Sequence, residues 1–112
     1  MEEYEELIPY IKNILRNNIH KIKISGKIRG KIEQKHGLSI NEVMSYLNDP
    51  KDLIAVEKDI PRKAHDEPYD LIFRKSRNKC ICVVILYRTL KKDLFLVTAF
   101  ESSKEYEQLI KQ

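Results

Sequence analysis

The apolar positions fall into two rhythms, helical spacing up to Leu47 and then alternating or unbroken runs from Leu53 onward. From Glu3 to Arg16, residues Tyr4, Leu7, Ile8, Ile11, Ile14 and Leu15 recur at helical spacing. This predicts a helix whose single stripe can lie on a sheet. Pro9 lacks a backbone N–H and crowds the preceding turn, so the helix either kinks there or starts there. Ile22 and Ile24 alternate with lysines as in a short strand or extended link, and Ser25 is placed to cap the next helix. Gly26 to Lys35 is helical again but thinly apolar, with Ile28 and Ile32 in register. Gly37 suits the left-handed position after a helix end. Ser39 and Glu42 then form a capping box, with Leu38 and Val43 at the spacing of a hydrophobic staple. They open a helix with Ile40, Val43, Met44 and Leu47 on one face, stopped by Asn48-Asp49-Pro50.

Leu53 to Val56 predicts a short first strand, followed by a polar loop from Glu57 to Pro68. Three further β-rich runs follow: Tyr69 to Arg74, Lys79 to Arg88 and Asp93 to Phe100. Their short polar separators have hairpin spacing and favour an antiparallel meander. Cys80 to Tyr87 is unbroken in apolar or thiol side chains, which predicts a central strand covered on both faces. Tyr69, Leu71 and Phe73 alternate with Asp70, Ile72 and Arg74, which predicts a strand nearer an edge or half exposed. Ser102 and Glu105 repeat the capping-box pattern, and Tyr106, Leu109 and Ile110 form the face of a closing helix. The expected architecture is a single α+β domain over 1–112, with helices packed on one face of a four-stranded, mainly antiparallel sheet.

Composition fits this picture and narrows the chemistry. The chain has 42% hydrophobic and 34% charged residues, ordinary for a soluble globular protein. No apolar run reaches the roughly 18 residues of a membrane helix, and MEEYEELIPY is acidic where a signal peptide would be basic, so a cytoplasmic location is expected. Cys80 and Cys82 point to the same face of one strand, where a mutual disulfide would be strained and no metal-ligand spacing completes a site. They read as small buried thiols. No Gly-rich phosphate loop or supported Ser/His/Asp arrangement is present, and no metal or cofactor is expected.

The net charge of +4 fits a polyanionic partner only weakly, because lysine bias alone could supply it: 15 lysines stand beside 6 arginines and 15 isoleucines. Distribution says more. Lys27, Lys31 and Lys35 stand at i, i+4 and i+8, with Arg29 beside them. Like charges at this spacing repel by about 0.2–0.5 kcal/mol per pair, and stability alone would favour interleaved glutamates. The stripe reads either as a phosphate-facing surface or as a solvated face in a lysine-rich protein.

Ile24-Ser25 through Gly37-Leu38-Ser39, Glu42-Val43 and Leu47-Asn48-Asp49-Pro50, with Cys82-Val83-Val84-Ile85 and Leu96-Val97-Thr98-Ala99-Phe100 further on, resembles a bacterial and archaeal family of small uncharacterised domains. That family is grouped with RelE-like toxins in the wider barnase, EndoU, colicin and RelE-type nuclease superfamily. The chain departs from its pattern at four places. Lys27 and Lys31 stand where the family has histidine and arginine, Cys82 replaces a second histidine, and Phe100 replaces a tyrosine. Lys35-His36-Gly37-Leu38-Ser39 matches the family's Arg-Gly-Ile-Ser with one residue inserted, which adds an imidazole.

The resemblance implies metal-independent RNA cleavage, in which the ribose 2′-hydroxyl attacks the adjacent phosphate. Such a site needs cations for the phosphate oxygens together with an acid and a base. The candidate catalytic residues are then Lys27, Lys31, His36 and Arg74, with Arg29, Lys35, Arg77 and Arg88 as RNA contacts. His36 is the best acid–base candidate, because imidazole as a class changes charge near neutral pH, and a lysine base would need its pKa lowered from about 10.4 by its cationic neighbours. The expected activity is that of a RelE-like toxin holding RNA with the basic helix and the open sheet face, and covered by an antitoxin. The alternative is a non-catalytic interaction module that binds a protein or structured RNA.

Overall fold

The computed structural model describes residues 2–101. The closing helix predicted from Ser102, Glu105, Tyr106, Leu109 and Ile110 lies outside the described residues. Helix α1, Glu2–Asn18, runs through Pro9 without starting there. Its stripe buries Ile11, Ile14 and Leu15, and at its C-terminus the Asn18 side-chain amide donates to the Ile14 carbonyl at 2.9 Å. The buried Asn18 amide thereby finds an acceptor within its own helix.

After one 3₁₀ turn, Ile19–Lys21, the chain extends and becomes a link that pairs with the sheet. Lys23 N–H donates to the Leu94 carbonyl at 2.8 Å, and Leu96 N–H donates to the Lys23 carbonyl at 3.0 Å. Part of an exposed sheet edge is thereby covered. Helix α2, Gly26–Gly30, is capped by Ser25 Oγ, which accepts from Ile28 N–H at 3.1 Å. It passes into a π-turn, Lys31–Lys35, that buries Ile32 completely and is closed by Gly37 at φ +66°. Helix α3, Ile40–Asn48, forms half of the predicted capping box: Ser39 Oγ accepts from Glu42 N–H at 3.0 Å. The Glu42 carboxylate turns instead to Lys75, 3.3 Å away.

Strands β1 (Leu53–Lys58), β2 (Asp66–Ser76), β3 (Lys79–Arg88) and β4 (Asp93–Glu101) form one antiparallel sheet in the order β1-β2-β3-β4. The predicted loop thus shrinks to residues 59–65. The alternating strand is interior rather than near an edge, because β2 is paired on both sides. Its alternation reflects two different faces. Tyr69, Leu71 and Phe73 join Ile81, Val83, Ile85, Leu94, Leu96 and the apolar faces of α1, α3 and the π-turn in the main core. Ala55, Ile72 and Cys80 form a smaller buried cluster on the second face. Both cysteines are free and buried, as their spacing predicts. Among the described residues no helix is long and apolar enough to cross a membrane.

Candidate nucleic-acid interface

The cationic stripe is held by a capped helical turn at one end, the buried Ile32 in its middle and Gly37 after its end. Ile28 and Ile32 point to the core, which turns Lys27, Arg29, Lys31 and Lys35 outward, and all four are exposed. Four residues overshoot an α-turn of about 3.6 and undershoot the wider i→i+5 turn. The π-turn therefore swings Lys35 back toward the line of Lys27 instead of carrying it past Lys31. No side chain of these four forms an ion pair with another described residue, and Glu33 is the sole acid between Gly26 and Lys35.

The other predicted residues are distributed differently. His36 follows the π-turn and is half-buried, its ring 6.0 Å from the Phe100 ring on β4. Arg74 is opposite Cys80 and next to the core residue Phe73, so alternation sends it to the second face, away from the helical core. Arg77 is exposed in the β2–β3 turn. Arg88 is engaged within the fold: Nε donates to Asp93 Oδ1 at 2.8 Å, Nη2 donates to Oδ2 at 2.5 Å, and its plane covers Phe95 at 4.7 Å. The Arg88 hydrogen bonds, with Lys23 adding a third at 3.3 Å, hold the buried Asp93 carboxyl well below the usual carboxylate range.

The second sheet face is partly acidic. Glu57 pairs with Asp70 across β1 and β2, and the Asp70 carboxyl is hydrogen-bonded to that of Asp59. Burial first, then Asp59 and Glu57, raise Asp70 to about 7. Burial and the same carboxylates push the Cys82 thiol up to about 12. A phosphate approaching this part of the face would meet like charge, which separates it from the cationic helix as a contact surface.

Two arrangements escape a reading of the sequence. The Asp59–Asp70 pair depends on strand register, although the acids Glu57, Asp59 and Asp70 are visible in the chain. A cleft between α1 and the end of α3 gathers Lys12, Arg16 and Lys51 from segments far apart in sequence. Its one sequence signal is Lys12 and Arg16 at i, i+4 without an intervening acid. Compared with known proteins, the chain matches no family model, no curated protein and no solved structure.

Proposed function

We propose that this chain is a RelE-like, toxin-type protein that contacts RNA through the helical segment 26–35. The observation that carries the reading is the outward row Lys27, Arg29, Lys31 and Lys35, exposed and without an acidic partner among the described residues. Such a row follows a phosphate backbone, and each contact releases counterions. An antitoxin presenting an acidic helix would be complementary to the same surface. The family resemblance adds the expectation of strand cleavage by 2′-hydroxyl attack.

The test is titration of single-stranded RNA over a range of salt, in EDTA, with cleavage products read from the same samples. Changing Lys27→Ala together with Lys31→Ala should weaken binding and lower the slope of log affinity against log salt by roughly 1.4, at about 0.7 per lost single-strand contact. Products present in wild type and absent from the folded double variant assign the cleavage to this helix. Unchanged affinity and slope overturn the reading.

A second reading, a non-catalytic interaction module, is favoured by the positions of two of the candidate catalytic residues. His36 packs against Phe100, and Arg74 belongs to the second sheet face. RNA binding without products, or salt-insensitive binding to one protein, would favour that module.

A further inference from the structure

Apart from the α2 stripe, three cations without an ion-pair partner among the described residues gather in a cleft of about 470 Å³ between α1 and the turn after α3. Lys12 and Arg16 stand one helical turn apart on α1, and Lys51 enters from the opposite wall. None of the three forms an ion pair with a described residue, including Asp49, which lines the same cleft. Three cations against one carboxylate leave the cleft net positive. Holding them together costs mutual repulsion that an anion would relieve. The floor is different in kind: Leu15 and Leu47 are almost wholly buried beneath it, and Ile19 is half-buried beside them. Asn48, exposed at the rim, brings an amide that both donates and accepts.

A cationic rim over an apolar floor, with a few polar groups and a volume in the range of small-ligand sites, matches an anion attached to a flat apolar body. We propose that the α1–α3 cleft binds a nucleoside phosphate, with the phosphate held by Lys12, Arg16 and Lys51 and the base resting against Ile19 and Pro50, the apolar lining residues that stay partly exposed. Asn48 and Asp49 face the sugar or base edge. The nucleotide is either free or the 5′ end of an RNA strand, and the two sources present the same phosphate. The site stands apart from the α2 row and does not require that row to bind RNA.

The experiment titrates the full chain with adenosine and uridine 5′-monophosphates, with adenosine as the uncharged control, and follows backbone amide shifts. In parallel, an RNA oligonucleotide carrying a 5′-phosphate is compared with its 5′-hydroxyl form. Monophosphate binding that shifts residues 12–19 and 48–51, is absent with adenosine, and weakens about tenfold or more in Arg16→Ala and in Lys51→Ala identifies a free-nucleotide site. A 5′-phosphate preference of about tenfold that disappears in Arg16→Ala, without monophosphate binding, identifies a strand-end site. Both variants replace exposed side chains. Absence of both effects, or effects that persist in both variants, overturns the proposal. Lys27→Ala/Lys31→Ala should leave the monophosphate shifts unchanged, so failure of the RNA reading is read separately.

Discussion

Asp70 and Thr98 occupy one row of the second sheet face, across Val84, and each is a polar group that burial penalises. Burial first, and then the carboxyl of Asp59, favour the protonated form of Asp70 and raise its pKa to about 7. The folded chain thus holds this proton more tightly than the unfolded chain does. The resulting stability is complete below the ordinary carboxylate pKa near 4 and is lost as pH rises toward and through about 7. An amide at this position donates to Asp59 at every pH, so Asp70→Asn should gain stability on wild type between pH 5 and pH 8, read from urea midpoints. A gain equal at both pH values would contradict this account. Thr98 Oγ1 is buried without a hydrogen-bond partner among the described residues. Thr98→Val keeps the shape and removes the unmet hydroxyl, and should raise stability by about 1 kcal/mol in the same measurement. The residues of this row are visible in the sequence, but their relation is not, because it is set by pairing across three strands.

At the scale of elements, two polar links tie helices to strands. Glu67 Oε1 accepts from Tyr10 Oη at 2.7 Å and from Tyr69 Oη at 2.8 Å, joining α1 to β2. Tyr69 is 1% exposed, so Glu67→Ala leaves a buried hydroxyl unmet and should cost about 1–3 kcal/mol. Glu67→Gln, which retains an acceptor, should cost less in the same denaturation series. The second link is Lys75, whose Nζ reaches Glu42 of α3 at 3.3 Å and Glu101 of β4 at 3.0 Å. Lys75→Met keeps the stem and removes the charge, and should cost about 0.5 kcal/mol per pair, diminishing in high salt. The elements themselves were largely legible: β3 has its predicted limits, and Ser25, Gly37 and Ser39 perform their predicted local roles. β2 was underestimated because Pro68 argues against a strand interior. Asp59 N–H donates to the Pro68 carbonyl at 3.0 Å, so Pro68 turns its donor-less nitrogen toward the side where β1 has just ended. No ladder bond is lost there.

Across the whole molecule, charge is sorted by location, which net charge alone cannot convey. The α2 row and the α1–α3 cleft collect cations, while Glu57, Asp59 and Asp70 occupy the second sheet face. The row was legible because helical spacing fixes it locally. The cleft was not, because Lys51 meets Lys12 and Arg16 only after α3 packs near α1. Two buried or half-buried carboxyls then give stability two opposing pH limbs. Asp93, held low by Arg88, contributes above the unfolded pKa near 4, and its contribution is lost as pH falls below that value. Asp70 acts with the opposite sign, losing its contribution as pH rises through about 7. Their sum places maximal stability near pH 4, where the two limbs meet. Denaturant midpoints measured across pH should form a dome there, with Asp93→Asn flattening the acid limb and Asp70→Asn the alkaline limb. The assignment fails if either variant flattens the opposite limb. Because the acid cluster and the cationic row are on different elements, Asp70→Asn should also leave the salt dependence of RNA binding unchanged while it reshapes the dome.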